Sequence, residues 1–254
     1  MLYCRFQSRG GIGWGLVEKH QVWELSGDYF SPFEKTGRSF PMNDVRFLAP
    51  CQPSKIIAVG LNYKEHITEF GRSEVPSEPV LFLKAPTAVI GAEDPIVLPQ
   101  SAGRVDYEAE LGVVIGKKGR HIPEAEALGY TLGFTCVNDV TARELQKKDG
   151  QWARAKSYDT FCPVGPWIAD GLPPDQLRVE AYVNQKAAQL GHTSGMIFSV
   201  PKLIAFISSV MTLLPGDLIA TGTPPGVGAL KTGDTVQIFV EGVGALRNHV
   251  VEET

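Results

Sequence analysis

Val105-Asp-Tyr-Glu-Ala-Glu-Leu-Gly-Val-Val-Ile-Gly116 sets two glutamates two positions apart at the mouth of an apolar run. Leu111, Val113, Val114 and Ile115 read as a buried strand, in which residues i and i+2 share a face about 7 Å apart. Glu108 and Glu110 therefore point the same way. Two carboxylates about 5 Å apart repel by about 3 kcal/mol at an effective dielectric of about 20, so a buried pair needs a shared proton or a cation. The alternative is a strand leaving the core, with both glutamates on its wet face beside surface lysines. Downstream, Thr131 to Val137 forms a second strand-like run ending in Asn138-Asp139. That third carboxylate completes an all-oxygen set, which suits Mg²⁺ or Mn²⁺ and, less tightly, Ca²⁺. No Cys or His accompanies it, which argues against zinc.

Around this stretch lie further apolar runs punctuated by Gly and Pro: 56–61, 80–83, 88–91 and 96–98 before it, 177–184, 235–241 and 245–252 after it. Gly242-Val-Gly244 can turn the last two into a hairpin. The fold class is mostly β (α+β), with few helices. Thr141-x-x-Glu144 has the form of a capping box and predicts a helix over 142–148, stopped by Gly150. Asn62-x-x-Glu65 predicts a short helix ending at Gly71, and Ser199 with Pro201 opens a long one that Pro215-Gly216 ends. Residues 1–50 differ in texture: short strands at 16–19 and 21–25 about a turn, then a Pro- and Gly-rich connection. Fifty residues are few for an independent domain, so a small N-terminal segment (1–50) followed by one large domain (51–254) is expected.

The chain of 254 residues carries 24 Lys plus Arg against 28 Asp plus Glu, with no basic surplus to bind nucleic acid. Cys4, Cys51, Cys136 and Cys162 are scattered without Cys-x-x-Cys spacing, and the first residues lack the apolar core of a secretory signal. A cytoplasmic protein with reduced thiols is expected. The longest apolar stretch, 196–214, holds Pro201 and a stripe of Lys202, Ala205, Ser209 and Thr212, which fits a core helix and not a membrane span.

Three further groups bear on chemistry. His66 and Glu69 lie three apart on the short helix; a carboxylate beside an imidazole orients it and raises its basicity, although the same spacing occurs on solvated helices. Lys84, Arg143, Gln146 and Lys156 form a basic and amide set. Arg143 and Gln146 can face an ion from one side of a helix and bind a substrate carboxylate or enolate charge. Alternatively, Arg143 neutralises Asp139 and the lysines lie at the surface. Thr221-Gly-Thr-Pro-Pro-Gly-Val-Gly228 lacks the Gly-Lys-Ser/Thr of a phosphate loop. Its amides and threonine hydroxyls suit a carboxylate, or it is simply a tight turn. No Gly-x-Ser-x-Gly announces a nucleophile.

Taken in order, Val59-Gly-Leu-Asn-Tyr-Lys-Glu-His66, Glu78-Pro-Val-Leu-Phe-Leu-Lys84, Asp106-Tyr-Glu-Ala-Glu-Leu111, Asn138-Asp-Val-Thr-Ala-Arg143, Ala155-Lys-Ser157, Gly195-Met-Ile-Phe-Ser199, Gly216-Asp-Leu-Ile-Ala-Thr-Gly-Thr-Pro224 and Gly226-Val-Gly228 resemble the fumarylacetoacetate hydrolase family. The resemblance runs from about Ser54 to Glu252. It implies a mixed β-sandwich roll, usually a homodimer, behind a small N-terminal segment. It maps metal ligands to Glu108, Glu110 and Asp139, the catalytic lysine to Lys156, and a His-x-x-Glu dyad to His66 and Glu69, on a segment that orders over bound ligand. Arg143, Gln146 and Thr223 fall where members hold the substrate's carboxylate or keto group. The family embraces acylpyruvate hydrolases, oxaloacetate decarboxylases and tautomerases, and isomerases of 2-hydroxyhepta-2,4-diene-1,7-dioate, all acting on a 2-oxo acid through its enolate. Hydrolysis of a 2,4-dioxo acid is the expected reaction. A Ca²⁺-dependent ligand-binding β-sandwich, the non-enzymatic alternative, would have no use for Lys156 or His66.

Overall fold

From Leu111 onward the Ala109–Ile115 strand is apolar without alternation because it is buried on both faces. Leu111, Val113 and Ile115 join one core, with Val179, Ala181, Ile238 and Leu246. Val114 joins the other, with Ile56, Ala58, Val137 and Leu218. Glu110, in step with Gly112 and Val114, belongs to this second face. The structure, a computed structural model, describes residues 1–69 and 74–253.

The strand sits within a twelve-stranded sheet. On one side it pairs antiparallel with Thr131–Asn138, on the other with Leu218–Ala220, which runs parallel to Ile56–Gly60; Val80–Lys84 forms that end of the sheet. A second sheet of five strands packs against the first core, with Arg178–Val183, Thr235–Val240 and Gly244–Glu252 in its middle. The mostly β reading holds. The strands of residues 1–50 do not form a sheet of their own. Leu2–Ser8 pairs with Cys162–Ala169, Leu2 opposite Ala169 and Tyr3 opposite Ile168, so the segment extends the large sheet.

Two capping motifs act otherwise than predicted. Helix α1 covers Lys64–Glu69, and its expected end at Gly71 lies outside the described residues. The Asn62 side chain does not cap it; its amide donates to Phe198 O (3.1 Å) and Thr221 O (2.7 Å) and its oxygen accepts from Phe198 N (2.8 Å). Helix α2, Arg143–Asp149, begins without a side-chain cap: Thr141 belongs to a short strand paired with Val105–Tyr107, and its hydroxyl donates to Asp139 O (2.8 Å). At Asn62 tertiary partners displace the local bond; at Thr141 strand pairing fixes the backbone and the hydroxyl turns to a carbonyl two residues back. A single helical turn, α3 (Ala153–Lys156), follows. Ser199 does cap α4, Val200–Val210, through Lys202 N (3.4 Å). That helix stops short of Pro215 because Leu213 is drawn into a bridge with Gly119. Among the described residues, no helix is long and apolar enough to cross a membrane.

All four cysteines are buried and free, and burial pushes each thiol up to about 12. The thiolate is the reactive form. Native protein is therefore expected to give no fast reaction with a disulfide reagent, and four thiols after guanidinium unfolding. A fast-reacting thiol in the native state would contradict this packing.

Candidate active site

Antiparallel pairing assembles the acidic cluster. Ala109 lies opposite Asn138, so Glu108 and Asp139, one residue outside each strand, become neighbours; Asp139 N donates to Glu108 O (2.9 Å) and Glu108 N to Asn138 Oδ1 (3.0 Å). Glu110 points to the same place from one step inside. One carboxylate oxygen from each of Glu108, Glu110 and Asp139 lies within 4.8 Å of the others, and all three residues are buried. The wet-face alternative is excluded.

Three buried cations surround them. Lys156, at the end of α3, donates to Glu108 Oε2 (2.8 Å) and Asp139 Oδ2 (2.5 Å). Lys84, the last residue of its strand, donates to Asp139 Oδ1 and to Val140 O (3.3 Å). Arg143, opening α2, reaches Glu108 Oε1 through Nη2, Asp106 Oδ2 through Nε (2.9 Å) and Gln146 Oε1 through Nη1 (2.7 Å). Arg143 thus neutralises Glu108 and Asp106, not Asp139, and neither lysine is on the surface. Asp106, which the sequence offers only as part of a family-like string, continues the alternation of Glu108 and Glu110, and that alternation is the signal for it.

Charge is unevenly shared. Burial pushes the Glu108 carboxyl up, but Lys156 and Arg143 outweigh it and hold the group at about 2. Burial likewise opposes the Lys156 ammonium, yet Asp139 and Glu108 raise it above its usual range, so it stays a fixed cation. Glu110 differs. Burial, then the charges of Asp139 and Glu108, push it well above the carboxylate range. Its Oε2 accepts from the Gly222 amide (2.9 Å), and among the described residues no cationic side chain pairs with it. Asp106, Glu108, Glu110 and Asp139 face the buried Lys84, Arg143 and Lys156, and Asp106 is paired as well with the half-exposed Arg104 (Nε to Oδ1, 2.7 Å). Among the described residues Glu110 is the acid of the four that has no cationic partner. A divalent cation supplies the missing charge: the donors are all oxygen, converge from three sides, and each oxygen keeps a second lone pair beyond its present bond. The triad therefore fits Mg²⁺, Mn²⁺ or Ca²⁺.

Over the cluster opens a cavity of about 600 Å³, lined by Leu61 and His66, by Arg143, Gln146 and Lys147 of α2, by Phe82 and Trp152, and by Lys156 and Thr223. On α1, His66 Nδ1 lies 3.0 Å from Glu69 Oε2, and Glu69 Oε1 accepts from Gly226 N (3.0 Å). A carboxylate only accepts, so Nδ1 carries the proton. Gly226 can present its amide because it adopts φ +99° and because a Cβ there would lie 2.4 Å from Ala188 O. The dyad is thus fastened to the Thr221–Gly228 loop. In that loop the Thr223 hydroxyl is already engaged, donating to Ala109 O (2.9 Å) and accepting from Gln189 Nε2 (2.8 Å). Lys84 is not among the residues lining the cavity; it supports Asp139 from behind. Among the cavity residues to which the sequence assigns no role are Trp152 and Phe82, whose aromatic signal is indistinguishable from core packing until the strands are placed.

Comparison with known proteins gives the family. Residues 1–50 match the Rv2993c-like, N-terminal family. In fold, the chain superposes on the 2-hydroxyhepta-2,4-diene-1,7-dioate isomerase of Mycobacterium marinum with TM-score 0.93 and 44% identity, covering 100% of this chain and 99% of that one. The maleylpyruvate hydrolase of Sphingobium sp. SYK-6, solved with manganese(II) and pyruvate, gives TM-score 0.82 and 31% identity with full coverage of both chains. In sequence, oxaloacetate tautomerase Fahd2a of Rattus norvegicus is 43% identical over 226 residues, 83% of this chain and 71% of its own length. Residues 55–251, which hold the whole acidic cluster and the cavity above it, match fumarylacetoacetate (FAA) hydrolase C-terminal, and the chain belongs to the fumarylacetoacetate hydrolase family.

Proposed function

We propose that the protein hydrolyses a carbon-carbon bond in a 2,4-dioxo acid of the acylpyruvate type. The observation that carries this reading is the His66–Glu69 pair, held 3.0 Å apart in a cavity that also contains the acidic cluster. A divalent ion held by Glu108, Glu110 and Asp139 would supply Lewis-acid stabilisation of enolate charge. With such an ion the four acids and three buried cations of the cluster carry a net positive charge, which favours an anionic ligand. Arg143, Gln146 and the Lys156 ammonium orient the carboxylate and keto oxygens. His66 takes a proton from water as the oxygen attacks C4, and Glu69 stabilises the resulting imidazolium. The C3–C4 bond then breaks, its electron pair enters the pyruvate enolate, and the acyl group leaves as a carboxylic acid. Lys156 faces the developing oxyanion, and His66 returns its proton to C3.

A second reading, tautomerisation or isomerisation of a 2-oxo acid, is favoured by the activities named for the rat and mycobacterial relatives. It needs proton transfer at C3 and no attacking water. Product analysis separates the two: acetylpyruvate with Mg²⁺ is expected to yield pyruvate and acetate in equal amounts. No cleavage, together with rapid ketonisation of enol-oxaloacetate, would replace hydrolysis by the second reading.

A further inference from the structure

We infer that Trp152 is a specificity-determining residue, seated by Gly60, and that it selects 2-oxo acids whose tail is a flat, uncharged group. The inference rests on the 2-oxo acid reading above and concerns the half of the ligand that the acidic cluster does not hold. The floor of the cavity is charged, but one wall is not. Val59 and Gly60 end the Ile56–Gly60 strand, Leu61 follows, and Phe82 comes from the paired strand, opposite Ala58. Trp152 stands over them, meeting the Phe82 ring edge-on with centroids 5.1 Å apart at 68°.

Residue 60 is what lets the indole lie there. A Cβ on Gly60 would fall 2.6 Å from indole Cζ3 and 2.9 Å from Cη2, while its φ lies outside the left-handed region. The requirement for glycine is spatial, not conformational. The wall also adjoins the chemistry. The Lys156 ammonium lies 4.9 Å from the Phe82 centroid, and the Trp152 carbonyl accepts from Lys156 N (3.0 Å). A ligand whose carboxylate and keto oxygens sit at the cluster therefore has the indole and Phe82 beside its next atoms. Lys156 is the ionic group that the described residues set against this wall; two of its three N–H go to Glu108 and Asp139 and the third serves the keto end of the ligand, so none is left for the tail. A charged tail here would lose water without gaining a partner, whereas an aromatic or conjugated one gains burial and ring contact. The exposed Lys147 belongs to α2 and not to this wall, so a carboxylate tail drawn to it is the competing outcome.

Calorimetric titration of the Mn²⁺-loaded protein with pyruvate, phenylpyruvate and 2-oxoglutarate decides the matter without turnover. Phenylpyruvate is expected to bind at least tenfold more tightly than pyruvate, and 2-oxoglutarate no more tightly than pyruvate. In Trp152→Ala the phenylpyruvate-to-pyruvate ratio should fall to threefold or less. Gly60→Ala, which displaces the indole without removing it, should lower it in the same direction. A wild-type ratio near one, a ratio retained in both variants, or a preference for 2-oxoglutarate would overturn the inference. Failure of pyruvate itself to bind would instead overturn the 2-oxo acid reading on which it stands.

Discussion

Glu110→Ala is expected to abolish Mn²⁺ binding and to lower kcat/KM at least 10³-fold, while the metal-free protein keeps or gains stability. The two effects have opposite signs because Glu110 is the acid that the buried cations leave uncompensated. Removing a paired buried charge strands its partner and is strongly destabilising; removing Glu110 strands only the Gly222 amide. Its carboxyl is raised in the folded state by burial and by Asp139 and Glu108. In chelator, this group's contribution to stability is therefore complete below the unfolded value of about 4.3 and is lost as pH climbs through the folded one. The difference between wild-type and variant stability against pH should fall over that window. A ligand that binds only the native state stabilises it by about 2.7 kcal/mol at a hundredfold excess over Kd, so Mn²⁺ should raise the wild-type Tm by several degrees and leave the variant's unmoved. Equal Tm shifts for both proteins would remove Glu110 from the ligand set.

The acidic cluster was legible because strand periodicity is a local property: Glu108 and Glu110 at i and i+2, and Asp139 at the end of a second run, need only a pairing register to meet. What the register adds is choice of partner. The residues alone left Arg143 free to take Asp139, whereas the Val105–Tyr107 strand brings Asp106 beneath α2 and claims the guanidinium together with Glu108. The same limit explains the capping motifs. Asn62 and Thr141 have the chemistry of helix caps, but Asn62 finds Phe198 and Thr221, more than a hundred residues away in sequence, and such partners are invisible to a local window. The strand Cys162–Ala169 is illegible in the sequence for a different reason. Pro163, Gly165 and Pro166 argue against a central strand, yet it pairs with Thr131–Asn138 through a register shift between Phe134 and Cys136 that accommodates them.

His66→Ala should separate the chemistry of the site by substrate. Removal of a general base costs about 10² to 10⁴-fold where a proton must leave an attacking water, so acetylpyruvate hydrolysis should fall by that amount. Oxaloacetate decarboxylation needs no attacking water and should stay within about tenfold of wild type. Glu69→Gln sharpens the test. Glutamine is the same size, and the Gly226 amide dictates its orientation: the carbonyl oxygen must accept from Gly226 N, which turns the amide NH₂ toward His66 Nδ1. Nδ1 must then accept, the ring proton moves to Nε2, and the imidazole loses the lone pair with which it would take a proton from water. Hydrolysis in Glu69→Gln should therefore drop nearly as far as in His66→Ala, even though α1 keeps its contact with the Thr221–Gly228 loop. Steady-state kcat/KM for both substrates, measured on both variants, checks the argument: equal losses on the two substrates, or a Glu69→Gln enzyme within threefold of wild type, would take proton transfer away from this dyad.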